Sequence, residues 1–233
     1  DAERLRQFQT DDVLNYIHRL YTADRAVLFV YGNVDAKEVK RRIPLNLPSA
    51  PSSQVTTIQK SLPKREAQRK VVNKDTHQAH VMMGAQAYGG SNKNHVALFM
   101  ANNILGGPGL SSRLNLALRE KRGLVYTVES TLTTYIDTGV WAVYFGCDRE
   151  DVERCKKLVK RELERLCEAP LSDRALKAAK QQIIGQISMS YDNFESVAIG
   201  MGKRMLHYGK TQTREDFVAR IQNITAEDIW VAA

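Results

Sequence analysis

The most constraining feature of this sequence is a glycine that separates a helical pattern from a strand pattern. Before Gly123, apolar residues such as Leu114 and Leu118 recur at helical spacing. After it, apolar and polar residues alternate through a stretch rich in β-formers. Gly123 is therefore predicted to end a helix, with Arg119 in its last turn and Tyr126 on the first turn of the following strand.

Arg119 and Tyr126 carry side chains that can hold a polarised carbonyl. A guanidinium is always charged and has several donors, and a phenol offers one donor. If the two converge, they can bind a peptide carbonyl and the oxyanion that it becomes. The alternative is that Arg119 belongs to a solvated charged cluster with Glu120, Lys121 and Arg122, and that Tyr126 is part of the core.

Two segments around this glycine resemble the second half-domain of the pitrilysin/insulinase zinc metallopeptidases, a family of inverzincins that includes the mitochondrial processing peptidases and non-catalytic relatives. These segments read LGGPGLSSRL, from Leu105, and LREKRGLVY, from Leu118. Similarity extends over nearly the whole chain, through YTADRAVLFVYGNVD near the start and NITAEDI near the end. The resemblance implies that Arg119 and Tyr126 reach the substrate carbonyl. It also implies that the glycine-rich loop containing Gly106 and Gly107 lies near the substrate path.

The zinc signature of that family, H-x-x-E-H, is missing from this sequence. The only close pair among its five histidines is His77 and His80. Their context is typical of a strand, in which positions three apart face opposite ways, so both are interpreted as structural or surface residues. No metal ligand is predicted in this chain. The resemblance implies that zinc and the general base belong to an upstream half-domain of the full-length protein.

Similarity between a segment near the start of the chain and one near its end indicates an internal repeat. A helical pattern that begins near Asp12 leads to an apolar segment from Ala26 to Tyr31, predicted to be a strand, and Thr225 opens a similar helix near the end. Aligning Asp12 with Asp228 superimposes the two copies. We therefore expect the chain to be a C-terminal fragment that holds the tail of one repeat and most of a second.

A proline-rich stretch separates the two repeats. Residues 44–68 contain four of the six prolines, together with several serines and threonines, and are predicted to form a linker. Residues 1–43 are then the tail of the preceding half-domain, with a helix, a strand and a short helix. Residues 69–233 form the second, inactive-type half-domain, which carries the Arg/Tyr pair.

The periodicity of the second half-domain predicts an α+β fold. Strands are predicted at 70–73, 79–86, 124–134 and 140–147, and helices at 92–105, 112–121, 149–168, 172–206 and 213–221. This order favours two layers, with a mixed or antiparallel sheet covered on one face by long helices. The family fold is similar.

Composition excludes several other classes. The chain is 43% hydrophobic over 233 residues, which allows a sizeable core, and no apolar run approaches the roughly 20 residues of a membrane span. Its charge of +8 is scattered, so the basic face of the helix at 149–168 is interpreted as solvated rather than as a nucleic-acid stripe. The three cysteines are odd in number and lie in apolar settings; they are predicted to be free thiols, which suits a reducing compartment.

The sequence therefore predicts the substrate-gripping C-terminal portion of a zinc-dependent endopeptidase that hydrolyses peptides or unfolded polypeptides. The predicted partners are the peptide, and an upstream half-domain or partner subunit in a possible homo- or heterodimer. The chain alone is expected to be inactive. One alternative is a non-catalytic partner or core subunit of a heterodimeric family member. The other is a basic nucleic-acid module, which would show salt-sensitive binding.

Overall fold

A computed structural model describes residues 2–42 and 66–233, and these divide into two compact units. One unit contains residues 2–42 and 190–213, and the other contains residues 66–189 and 214–233. Most of the predicted linker at 44–68 lies outside the described residues. Its boundaries stay a prediction.

The described helices are, in chain order, α1 (Ala2–Gln7), α2 (Thr10–Leu20), α3 (Ala36–Arg42), α4 (His95–Gly106), α5 (Val152–Glu168), α6 (Asp173–Ser190), α7 (Phe194–Tyr208), α8 (Arg214–Asn223) and α9 (Ala226–Ala232). The described strands are β1 (Gln78–Tyr88), β2 (Val125–Thr134) and β3 (Thr138–Asp148). A short helical segment with π-type hydrogen bonds, Asn115–Glu120, lies between α4 and β2; it is called the π segment below.

The smaller unit consists of helices α1, α2, α3 and α7 with their connections. Helix α2 starts with a reciprocal cap, in which the backbone N–H of Gln9 donates to the Asp12 carboxylate at 2.9 Å. The predicted strand from Ala26 to Tyr31 is not formed in the described chain. A strand needs a hydrogen-bonded neighbour, and this unit has no strand among its described residues.

The larger unit is built on an antiparallel sheet with the strand order β1-β3-β2. The central strand β3 pairs with both neighbours, so that His80 of β1 and Thr127 of β2 both lie opposite Gly146. A tight hairpin joins β2 to β3 and includes a hydrogen bond from the Tyr135 N–H to the Thr138 carbonyl at 2.9 Å. The predictions of strands at 79–86, 124–134 and 140–147 are confirmed.

Helices cover one face of this sheet and leave the other exposed. The core contains Leu105 of α4, Leu118 of the π segment, Phe145 of β3 and Val159 of α5. From Glu129 onward in β2, exposed side chains alternate with buried or half-buried ones, and Met82 of β1, on the opposite face, is 73% exposed. The predicted two-layer α+β class is confirmed.

Two predicted elements differ from the structure. Residues 70–73 form no strand, since no described strand pairs with them. The single helix predicted for 172–206 is two helices, α6 and α7, because the Asn193 side chain accepts a hydrogen bond from the Ser196 N–H at 2.9 Å and starts a new helix there. Among the described helices, none combines the length and the apolar character that a bilayer crossing requires.

Candidate functional site

The connection from the π segment to β2 is closed by Gly123. This residue has φ +61°, a left-handed conformation that residues with a side chain rarely adopt. The N–H of Gly123 donates to the Arg119 carbonyl at 2.7 Å, and the Arg122 guanidinium caps the carbonyl of Ala117 at 2.7 Å. The prediction that Gly123 ends the preceding helical segment is confirmed. The preceding turn is wider than an α-helix, since the Lys121 N–H reaches back five residues to Leu116.

Arg119 projects from this widened turn and is half exposed. Its ion-pair partner is its neighbour Glu120, with Nε and Oε1 4.0 Å apart. An exposed pair at this distance contributes little, so the guanidinium keeps donors for another acceptor.

A cleft of about 430 Å³ lies in front of Arg119. Its walls are the glycine-rich loop at 106–110, the side chains of Ser112, Asn115 and Arg119, and residues 127–131 of β2. Because β2 is an edge strand of the described sheet, the cleft follows a strand that has only one neighbour there.

Gly106 and Gly107 form part of the cleft wall at points of close backbone approach. A Cβ atom on Gly106 would lie 2.8 Å from the backbone nitrogen of Ser130, and one on Gly107 would lie 2.7 Å from the carbonyl oxygen of Asn103. Neither position can accept a larger residue without a shift of backbone. The glycine-rich loop is therefore fitted closely to α4 and β2.

A polar network under the cleft was missed by the sequence reasoning. Ser130 accepts a hydrogen bond from the Trp141 indole at 2.9 Å and donates to Asn102 at 2.6 Å. The Asn102 amide in turn donates to the Ser130 carbonyl at 3.1 Å. These bonds hold the middle of β2 to α4. Asn102 and Asn103, polar residues inside an apolar helix, were the available signal.

Tyr126 occupies a β-bulge in β2. Val125 pairs with Cys147 and Thr127 pairs with Gly146, so Tyr126 is the extra residue. Its ring is exposed, and its hydroxyl donates to Asp148 Oδ1 at 3.2 Å. The charge of Asp148, and then this hydrogen bond, raise the pKa of Tyr126. The hydroxyl therefore keeps its proton and remains a donor.

The cleft brings together three of the four predicted site residues, namely Gly106, Gly107 and Arg119. Tyr126 is not among the residues that line it, although the next residue, Thr127, is. The phenol of Tyr126 turns to Asp148 instead. A shared contact of Arg119 and Tyr126 with one carbonyl oxygen stays a prediction.

The described residues contain no group of three His, Cys, Asp or Glu side chains that could hold a metal ion. All five histidines and all three cysteines belong to the described part of the chain. His80 lies on β1, and its Nδ1 is 2.8 Å from the hydroxyl of Tyr144. The part of the chain that the structure describes therefore offers no set of three ligands for a zinc ion.

Curated relatives are similar to this chain over nearly its whole length. An uncharacterised zinc protease of Streptomyces coelicolor is 29% identical and aligns with 100% of this chain and 52% of its own length. The uncharacterised zinc protease YmxG of Bacillus subtilis is 27% identical and aligns with 97% of this chain and 55% of its own length. The chain thus spans about half the length of the curated relatives that it matches.

A solved structure has the same fold. A protease from Helicobacter pylori superimposes with a TM-score of 0.87 at 20% identity, over 98% of this chain and 56% of that one. A family model described as the peptidase M16 inactive domain matches residues 7–183. The chain belongs to the peptidase M16 family and matches its inactive domain.

Proposed function

We propose that this chain is the substrate-gripping half of a zinc-dependent endopeptidase whose metal and general base belong to another half-domain. The observation that supports it most is the half-exposed guanidinium of Arg119 in a cleft along an edge strand. The family membership supports the reaction class. The substrate is a peptide or an unfolded polypeptide.

The cleft suits an extended peptide. A peptide laid against residues 127–131 of β2 can form main-chain hydrogen bonds along the edge that does not pair with β3, apart from the Ser130 carbonyl, which already accepts a hydrogen bond from Asn102. The glycine-rich loop opposite has no side chain at Gly106 or Gly107 that would obstruct the peptide. Because the network of Ser130, Asn102 and Trp141 ties β2 to α4, the edge is held in place before the peptide binds.

Arg119 and Tyr126 have separate roles in this proposal. The guanidinium of Arg119 donates to the carbonyl oxygen of the bond to be cleaved and stabilises the negative charge that develops there. Tyr126 adds a second donor when its hydroxyl turns from Asp148 to the same oxygen. Zinc would be held by residues of another half-domain, and when bound there it would supply the activated water.

Substitutions in the full-length enzyme test these roles. Losing one oxyanion donor costs roughly 100- to 1,000-fold in turnover, so we expect Arg119→Ala and Tyr126→Phe each to reduce kcat by about that factor. The measurement is the steady-state cleavage of a fluorogenic peptide. Arg154→Ala and Tyr135→Phe are matched controls, because both residues are exposed and lie outside the cleft. A wild-type kcat for both site variants contradicts the proposed roles.

A non-catalytic partner subunit is the second candidate, and the match to an inactive domain favours it. The rest of the full-length sequence distinguishes this candidate from the proposed endopeptidase. Full-length protein with H-x-x-E-H should cleave peptides alone, whereas protein without that motif should cleave only when a motif-bearing subunit is added.

A further inference from the structure

Helix α6 supports the glycine-rich loop at 106–110 from a third side. The contacts of this loop with α4 and β2 are made through its backbone, at Gly106 and Gly107. Two glutamines of α6, Gln182 and Gln186, are four residues apart and therefore lie on the same face of that helix. Both side chains are half-buried. One of them contacts the loop, and the other binds the residue beneath it.

Gln186 binds Asn103, the residue beneath the loop. The Asn103 side-chain amide donates to Gln186 Oε1 at 2.9 Å. Asn103 is only 7% exposed, and its backbone carbonyl accepts the N–H of Gly107 at 2.9 Å. A Cβ atom on Gly107 would lie 2.9 Å from Asn103 Cγ, so the loop backbone rests directly on the asparagine side chain. Removal of the Gln186 amide would take away the acceptor that fixes this side chain.

Gln182 lies against the loop itself. A Cβ atom placed on Gly109 would be 2.7 Å from Gln182 Nε2, which is closer than a Cβ atom can stand to a neighbour. The glutamine amide therefore packs directly on the backbone of Gly109. The residues that follow the two glutamines, Ile183 and Ile187, are buried and hold α6 in the core. The loop is thus contacted by side chains from a fixed helix.

A loop of this composition depends on such contacts for its shape. Residues 106–109 read Gly-Gly-Pro-Gly, and glycine loses more conformational freedom on folding than any other residue. A loop released from α6 would populate conformations that do not match the cleft beside β2. The apparent affinity for a ligand falls in proportion to the fraction of the protein that is competent to bind it.

We propose that Gln182 and Gln186 are positioning residues that hold the glycine-rich loop in the conformation that admits a peptide along β2. The inference rests on the proposed endopeptidase function. Neither glutamine lines the cleft, and in that function Arg119 rather than the loop donates to the reacting carbonyl. Loss of either glutamine should therefore weaken peptide binding and leave the chemical step unchanged, so that KM rises at constant kcat.

Steady-state cleavage of a fluorogenic peptide by the full-length enzyme tests this split. Gln186→Met keeps the length of the side chain and removes the acceptor, so we expect KM to rise roughly 5-fold, the factor that corresponds to one hydrogen bond. Gln186→Glu keeps an acceptor oxygen for Asn103 and should retain a KM near that of the wild type. Gln182→Ala should also raise KM. Gln181→Met is the matched control, because Gln181 belongs to the same helix and is exposed.

Hydrogen exchange provides a readout that does not need activity. Peptides that cover residues 104–113 of the full-length protein are followed by mass spectrometry. We expect them to exchange faster in Gln186→Met and Gln182→Ala than in the wild type, because the loop opens more often. Gln186→Glu and Gln181→Met should exchange at the wild-type rate. Thermal unfolding of each variant checks that it is folded.

The outcomes separate this inference from the proposed function. Loss of cleavage in Arg119→Ala together with a wild-type KM in both Gln186→Met and Gln182→Ala overturns the positioning role alone. A fall in kcat at constant KM overturns it as well, and so does an equal rise of KM in Gln186→Met and Gln186→Glu. If the full-length protein cleaves no peptide, the proposed function fails. Unchanged exchange of residues 104–113 in both α6 variants then overturns the positioning role, and faster exchange supports it.

Discussion

At the scale of single residues, the two buried cysteines show how packing controls reactivity. Cys147 of β3 and Cys155 of α5 are both fully buried in the core, and Cys167 is exposed. Burial raises the pKa of the Cys147 thiol and raises that of Cys155 to about 12. Because the thiolate is the reactive form, both buried thiols should be inert in the folded protein.

Alkylation measures this difference directly. We expect iodoacetamide at pH 8 to modify Cys167 in the native protein and to leave Cys147 and Cys155 unmodified until the chain is unfolded in guanidinium. Peptide mass spectrometry after brief labelling identifies the modified positions. Cys167→Ser provides the control, since its native form should take up almost no label. Rapid native labelling of Cys155 would contradict the expected inertness.

Among the residues of the candidate site, some positions follow from local sequence pattern and others do not. The turn that carries Arg119 and the strand start that carries Tyr126 follow from local periodicity and from Gly123, all within a few residues. The hydrogen-bond partner of Tyr126 cannot be predicted from local periodicity. Asp148 lies 22 residues away and reaches Tyr126 only through strand pairing and a bulge. Contacts of this kind depend on register, which local pattern does not determine.

At the scale of elements, helix starts were harder to predict than helix faces. The amphipathic pattern of α5 was recognised because its apolar residues Cys155, Val159 and Leu166 recur on one side and are buried. The break between α6 and α7 was missed, because the apolar pattern continues through it. The chain breaks where Asn193 caps a new helix, and Gly200 and Gly202 lie inside α7.

Helix α9 gives a prediction about such a cap. Thr225 accepts the Asp228 N–H at 3.0 Å, and the Asp228 carboxylate accepts the Thr225 N–H at 2.8 Å. We expect Thr225→Ala to lower the free energy of unfolding by about 1 kcal/mol, because a helix N–H loses its partner. Urea unfolding at pH 7 measures the change. Thr211→Ala, at an exposed loop position, should leave stability unchanged.

The effect of this cap should depend on pH. The hydrogen bonds from Thr225, first from its backbone and then from its side chain, lower the pKa of Asp228 below its usual 3.8. A carboxyl whose pKa is lowered by folding stabilises the protein above its unfolded pKa, and this contribution is lost as the pH falls through the folded value. The difference between Thr225→Ala and wild type should therefore be constant from pH 7 to pH 5 and smaller near pH 2. A difference that grows on acidification would contradict the assigned cap.

At the scale of the whole molecule, the proposed separation of substrate binding from metal binding would account for the lack of a metal site among the described residues. A catalytic zinc site needs three protein ligands and an open position. Holding the substrate needs neither, only an edge strand, a cleft and donors for the carbonyl. The larger unit has these features around β2 and Arg119. Under this proposal, each half depends on the other for activity.

Zinc binding and activity of the isolated chain test this dependence. We expect the 233-residue chain to retain no stoichiometric zinc after dialysis and to cleave no fluorogenic peptide, because its five histidines and three cysteines form no three-ligand group in the described structure. Elemental mass spectrometry measures the metal, and a longer polypeptide that includes a half-domain with H-x-x-E-H serves as the positive control. One equivalent of zinc held by the isolated chain, or peptide cleavage that a chelator abolishes, would show that the metal site lies in this half.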